Sequence, residues 1–301
     1  MKDKIFLFLK GFAMGSADVV PGVSGGTIAF ITGIYDELIA TISQFNLSLL
    51  KLLLKGNFKT FWTQANLQFL LILFAGIFTS IFSLAGLISF LLKNHPAPLW
   101  AFFFGLVAAS IIYIGKKIAK WDLKVIVSFS FGAAIAFIIT TLPPLKMESG
   151  YLFVFISGAI AVCAMILPGI SGSFILLLLG SYSTIIFAVK QKDLVVLSLF
   201  AGGCVVGLLL FSKLLKWLFN NYERIVIALL TGFLLGSLNK LWPWKIKTDV
   251  LLMTHSDGTT DYVQHNIIPT FDMNFIYQCS CILLGFAILF SIEFTARKLS
   301  K

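Results

Sequence analysis

Six apolar runs dominate the chain, at residues 69–92, 99–115, 123–142, 194–210, 225–241 and 275–296. Each approaches the roughly 20 residues a helix needs to cross the ~30 Å hydrocarbon core of a bilayer. No soluble fold of 301 residues can hide them all. The chain is 58% hydrophobic and 12% charged, whereas soluble domains carry about 25% charged residues. The net charge of +10 would suggest nucleic acid in a soluble protein. Here the apolar runs leave no surface for a basic stripe, so no nucleic-acid partner is expected. The expected fold class is an all-α polytopic membrane protein.

Two further apolar stretches, 5–45 and 151–189, are long but broken in the middle. Six of the eight prolines (Pro96, Pro98, Pro143, Pro144, Pro243 and Pro269) fall in expected loops, where the missing amide is harmless. The other two, Pro21 and Pro168, break these stretches at the same place. Residues 17–26 align without gaps on 164–173, so that Pro21-Gly22-Val23-Ser24-Gly25 meets Pro168-Gly169-Ile170-Ser171-Gly172 at an offset of 147. The same offset carries Gly11 onto Gly158, Gly33 onto Gly180 and Tyr35 onto Tyr182. Downstream, Gly105 and Ser110 match Gly232 and Ser237. The spacing predicts an internal duplication.

Charge orients the halves. If each broken stretch enters and leaves on one side as a re-entrant hairpin, sixteen lysines and arginines face the N-terminal side, among them Lys10, Lys51, Lys55 and Lys59. Seven remain on the other: Lys93, Lys146, Lys190, Lys192, Lys240, Lys245 and Lys247. The positive-inside rule then places both termini in the cytoplasm. Residues 1–145 form a first repeat of hairpin 5–45 plus spans 69–92, 99–115 and 123–142. Residues 146–301 form a second, of hairpin 151–189 plus spans 194–210, 225–241 and 275–296, with 243–272 as an outside loop. Three spans per half is odd, so the repeats are inverted and the two Pro-Gly tips should meet near the midplane, the broken-helix plan of secondary transporters.

Non-helical backbone at that depth survives only when buried in protein or lining a wet cavity. Gly22, Gly25, Gly26, Gly169 and Gly172 permit the turns. Ser24 and Ser171 are expected N-caps of the helices that follow. Hydroxyls and free amides at such tips suit an anion, phosphate in particular. Asp18, whose repeat partner is Met165, is an intramembrane carboxylate, either a carrier of H⁺ or Na⁺ coupling or a cap for the tip. No lysine or arginine lies deep in an expected span. Enzyme motifs, a catalytic residue set, a cofactor fingerprint and a metal cluster are not found, so the expectation is not an enzyme.

The run Gly15-Ser16-Ala17-Asp18-Val19-Val20-Pro21-Gly22-Val23-Ser24-Gly25-Gly26-Thr27, followed by Gly33-Ile34-Tyr35, resembles the bacterial polyprenyl-phosphate translocase family, once a domain of unknown function. Leu167-Pro168-Gly169-Ile170-Ser171-Gly172-Ser173 resembles that family's second motif. The resemblance implies flipping of undecaprenyl phosphate, a lipid phosphate, from the outer to the inner leaflet of the cytoplasmic membrane for carrier recycling. It also implies a site made by Asp18, Pro21, Ser24, Gly25, Gly26 and Thr27 with Pro168, Ser171 and Gly172; the repeat adds Gly22, Gly169 and Ser173. Met165 and Phe174 stand where the first repeat has Asp18 and Thr27, so the halves cannot contribute equally. The alternative is an ion-coupled transporter of a small soluble anion, with a closed cavity instead of a portal open to membrane lipids.

Overall fold

The computed structural model describes residues 2–20, 23–145, 150–254, 260–271 and 273–299, with side chains described at all of these except 2, 47, 50, 247, 249–254, 260–263 and 292–299. The described residues form thirteen helices and two strands. The first half holds α1 (Lys2–Asp18), α2 (Gly25–Ile31), α3 (Tyr35–Ser43), α4 (Leu47–Leu54), α5 (Phe58–Gln64), α6 (Leu67–Asn94), α7 (Pro96–Lys117) and α8 (Leu123–Thr141). The second holds α9 (Tyr151–Ile166), α10 (Gly172–Leu178), α11 (Tyr182–Gln191), α12 (Leu194–Leu241), β1 (Lys245–Thr254), β2 (Thr260–Asn266) and α13 (Met273–Leu299). Five of these helices, α6, α7, α8, α12 and α13, are long and apolar enough to cross a membrane. Large apolar side chains such as Phe82, Leu123 and Leu194 point outward at 85%, 76% and 76% exposure, as lipid-facing surfaces require. The chain is a multi-pass membrane protein.

Local chemistry sets the boundaries. Pro96 opens α7 directly after His95 leaves the helix, in the first-turn position that tolerates a missing amide. Asp122 caps α8 through the Val125 amide (3.0 Å), and Asp193 caps α12 through Val195 and Val196. The 48-residue α12 is bent: its backbone leaves helical geometry at Tyr222 (φ −140°, ψ 37°), between the runs 194–210 and 225–241 that the sequence reads as separate spans. Asp122 reaches Arg224 beside that kink at 3.8 Å.

The expected outside loop 243–272 holds an antiparallel hairpin, so the fold is helical with one small β element. Lys245 lies opposite Asn266, and Ile246 opposite His265; the β-branched residues of β1 suit it. Two short helices, α4 and α5, occupy what the sequence left as a basic connection, α4 being capped by Asn46 through the Leu49 amide (2.9 Å).

Backbones approach one another through glycine seams, since lipid supplies no hydrophobic drive between helices. A Cβ on Gly11 or Gly15 would strike the α6 backbone at Leu73 or Ile77, and one on Gly76 the α1 backbone at Phe8. Between α9 and α12 the same roles fall to Gly158, Gly203 and Gly207, against Phe200, Phe155 and Ala159. Gly105 and Gly285 join α7 to α13, while Gly132 and Gly232 join α8 to α12. Both broken stretches turn at a left-handed glycine, Gly33 (φ 72°) or Gly180 (φ 73°), and α10 and α11 are bent by 105°. Each turn is tied to its entering helix: Lys10 Nζ donates to the Thr32 carbonyl at 2.8 Å, and Ser157 bonds Ser181 at 2.8 Å. Lys10 thus serves the turn.

Candidate functional site

The first break begins where α1 ends at Asp18; Pro21 and Gly22, two of the expected site residues, lie outside the described residues. Val23 donates back to the Val20 carbonyl (3.1 Å), and Ser24 takes an extended conformation (φ −125°, ψ 135°) before α2. Its hydroxyl accepts from the Gly26 amide at 3.1 Å, the expected N-cap. Asp18 Oδ1 accepts from the Gly25 amide at 2.6 Å. The opening amides of α2 are therefore held by this chain's own carboxylate and hydroxyl, unlike the free amides read from the sequence.

At the second break Pro168 is buried and Gly169 takes φ 88°. A Cβ at Gly169 would lie 2.9 Å from both the Phe233 carbonyl and Ser237 Oγ of α12. Ser171 stands at the N-cap position of α10 but makes no capping bond. Its hydroxyl pairs instead with Ser173 Oγ at 2.9 Å, which corrects the expectation of a second serine cap. Ser171 and Gly172 are buried; Ser173 is exposed.

The two tips meet. Ser24 Oγ donates to the Met165 carbonyl at 2.9 Å, and Thr27 Oγ1 accepts from the Gly169 amide at 2.8 Å. Gly26 makes this possible, since a Cβ there would stand 2.5 Å from the Ile166 carbonyl. Ser24, Gly25, Gly26 and Thr27 are all buried. The structure thus brings together Ser24, Gly25, Gly26, Thr27, Pro168, Gly169, Ser171, Gly172 and Ser173, with Asp18 at the rim of the first tip.

Sequence reasoning missed the Met165 carbonyl, Phe233 and Ser237. A backbone acceptor carries no residue signature. Ser237 did carry one, through its match to Ser110. Among the described residues no group of three His, Cys, Asp or Glu side chains is placed to hold a metal ion. Among the described residues the polar atoms at the tips are hydroxyls, amides, carbonyls and one carboxylate, a set that can orient and release an oxyanion.

No solved structure matches the chain. Residues 14–259 match the family described as undecaprenyl phosphate translocase-like. A polyprenyl-phosphate transporter of Vibrio cholerae serotype O1 is 50% identical over 262 residues, 87% of this chain and 85% of its own length. A polyprenyl-phosphate transporter of Staphylococcus aureus is 35% identical over 254 residues, 78% of this chain and 85% of its own. Both broken-helix tips fall inside the matched segment, and the chain belongs to the undecaprenyl phosphate translocase-like family.

Proposed function

We propose that this chain flips undecaprenyl phosphate from the outer to the inner leaflet of the bacterial cytoplasmic membrane, returning the carrier lipid to envelope synthesis. The observation that carries the reading is the contact of the two broken-helix tips, Ser24 to Met165 and Thr27 to Gly169. A polar break at membrane depth, built from both halves, is what an anionic head group needs to cross an apolar core. The relatives' names supply the substrate class.

In this reading the repeats are 1–145 and 146–301, inverted, with both termini cytoplasmic and the β-hairpin outside. Matching glycine seams support it: Phe8 and Phe155, against which Gly76 and Gly203 pack, are separated by the same 147 residues as the two prolines. The head-group site is formed by Pro21, Gly22, Ser24, Gly25, Gly26 and Thr27 with Pro168, Gly169, Ser171, Gly172 and Ser173. Asp18, at the rim, is the residue assigned to coupling with H⁺ or Na⁺. No covalent chemistry is involved.

The test is leaflet exchange of labelled undecaprenyl phosphate in liposomes holding the purified protein, beside a labelled glycerophospholipid. Selective movement of the polyprenyl phosphate is the expected outcome. Movement of neither lipid together with uptake of a soluble anion would overturn the reading in favour of the small-anion transporter.

A further inference from the structure

A cavity of about 400 Å³ lies where α7, α8 and α12 meet, beside the connection that joins α7 to α8. That volume falls in the range of small-molecule sites. Ile111 and Ile112 line it from α7, Ile118 and Trp121 from the connection, and Phe129 from α8. The fully buried Thr231 of α12 closes its inner side and donates its hydroxyl to the Ile227 carbonyl. The walls are fixed. Trp121 Nε1 donates to the Gly115 carbonyl at 3.2 Å, and the indole stands edge-on to Phe129 with centroids 5.5 Å apart. Gly115 leaves the space open, since a Cβ there would meet only Trp121, at 3.6 Å. Ile112 and Trp121 are 44% and 42% exposed, so the cavity opens sideways, toward lipid.

Charge marks one end of it. Lys116 is the one charged residue lining the cavity, and it is exposed. A lysine so placed lays its stem along apolar atoms and keeps its ammonium in water. Among the described residues that ammonium makes no hydrogen bond or ion pair. Lys117, Lys120 and Lys124 follow it, all exposed. Asp122 is the only acid between residues 101 and 140, and it is engaged by the Val125 amide and by Arg224. Ile111 lies five residues before Lys116, about 8 Å further into the membrane at ~1.5 Å per residue. A basic rim, an indole at the boundary and an apolar slot running inward fit one anionic lipid, its head by the lysine and a chain in the slot.

Two observations choose among lipids. Phe233 and Ser237 of α12 line the Gly169 turn. Thr231 stands about 200° and 240° round the helix from them, at ~100° per residue, so the cavity is on the far side of α12 from the tips. A head group held at the tips does not pass through it. One lysine also balances the single charge of a phosphodiester better than the nearly double charge of a phosphate monoester.

We propose that this cavity binds an anionic membrane phospholipid of the inner leaflet, at a site separate from that of the polyprenyl phosphate, with the phosphodiester at Lys116 and an acyl chain between α7, α8 and α12. Bound there, the lipid fills the gap among three spans. Only the naming of the leaflet rests on the topology given under the proposed function; the site does not depend on what the chain transports.

The test uses the full chain in phosphatidylcholine nanodiscs doped with phosphatidylglycerol carrying brominated acyl chains, since bromine quenches an indole it touches. The Trp121 signal is the difference between wild type and Trp121→Phe, which keeps an apolar wall. Brominated phosphatidylglycerol should quench that signal at a several-fold lower lipid fraction than brominated phosphatidylcholine. Lys116→Gln should raise the half-quenching fraction of phosphatidylglycerol about fivefold and leave phosphatidylcholine unchanged, while Lys116→Arg stays within twofold of wild type. Gly115→Leu, which fills the slot, should weaken quenching by both lipids. If Gly115→Leu fails to fold, the exposed Lys116 still decides the matter. Equal quenching by the two lipids in wild type, or undiminished selectivity in Lys116→Gln, overturns the site. Displacement of brominated phosphatidylglycerol by an equal amount of farnesyl phosphate overturns the choice of occupant. Leaflet exchange of undecaprenyl phosphate should stay within twofold of wild type in Lys116→Gln, and a larger fall overturns the separation from the transport path. Wild-type protein that moves no polyprenyl phosphate overturns the transport reading and leaves the quenching result standing.

Discussion

Gly26→Ala should separate the two tips. A Cβ at residue 26 would stand 2.5 Å from the Ile166 carbonyl oxygen and 2.9 Å from that of Met165. Ordinary contact begins near 3.4 Å, so the α9 backbone must retreat by about 0.9 Å. Both neighbours are main-chain atoms, so no side-chain rotation relieves the clash. The same movement stretches the 2.9 Å bond from Ser24 to Met165 to about 3.8 Å, beyond hydrogen-bond range. It also loads the bond between Gly169 and Thr27. Two neutral bonds are worth about 1 kcal/mol each net, and buried groups left unpaired cost about 1–3 kcal/mol. Against that, alanine gains up to ~1 kcal/mol over glycine in a helix. The balance is a loss of roughly 2–3 kcal/mol. Gly86→Ala is the control, because nothing lies within 4 Å of a Cβ there; it should be neutral or slightly stabilising. Thermal unfolding in detergent and leaflet exchange in liposomes read the result, with exchange expected to fall about tenfold or more at Gly26→Ala. Wild-type stability and exchange in Gly26→Ala would refute the idea that the tips are held together by this contact.

A cysteine placed within 51–59 should be labelled only from the cytoplasm and one within 264–268 only from outside; labelling of both from one side breaks the inverted topology. Asp18→Asn should keep lipid phosphate binding while exchange loses its response to an imposed pH or Na⁺ gradient. Equal gradient dependence in wild type and Asp18→Asn would leave the carboxylate a cap for Gly25. Finally, Ser24→Ala should lower thermal stability, whereas Ser171→Ala and Ser173→Ala should leave stability near wild type and weaken head-group binding several-fold.

The membrane-spanning helices and both interrupted stretches were legible because their signals are local: apolar length, and a proline inside it. The offset of 147 also carried real geometry. Gly33 and Gly180 turn at nearly equal φ, and Gly11 and Gly158 mark the same seam in each half. What stayed hidden depends on partners. The polar stretch between the two runs of α12 reads as a loop, whereas the helix runs on through it and breaks at Tyr222, where neither proline nor glycine marks the place. The β-hairpin is fixed by pairing between β1 and β2, which neither strand announces alone. Asp18 as a bare sequence position fits an ion carrier and a cap equally; only its 2.6 Å contact with Gly25 shows the cap.

The two tips differ from each other where their sequences align, and the differences bear on where a head group can lodge under the proposed function. In the first tip Asp18 and Ser24 already hold the amides of Gly25 and Gly26, and Thr27 holds the Gly169 amide of the second. An oxyanion approaching α2 meets the Asp18 carboxyl, which in its ionised form at about 5 Å and an effective dielectric near 20 repels it by roughly 3 kcal/mol. At the second tip Met165 replaces Asp18, α10 has no side-chain cap, and Ser171 and Ser173 bond each other. Opening that serine pair costs about 1 kcal/mol net, and both hydroxyls can then turn to an anion. The difference, about 2 kcal/mol, favours α10. Under the proposed function, then, both tips border one site, with the hydroxyls of Ser171 and Ser173 the readier contacts for the head group and the bonds of Ser24 and Thr27 holding the two tips together.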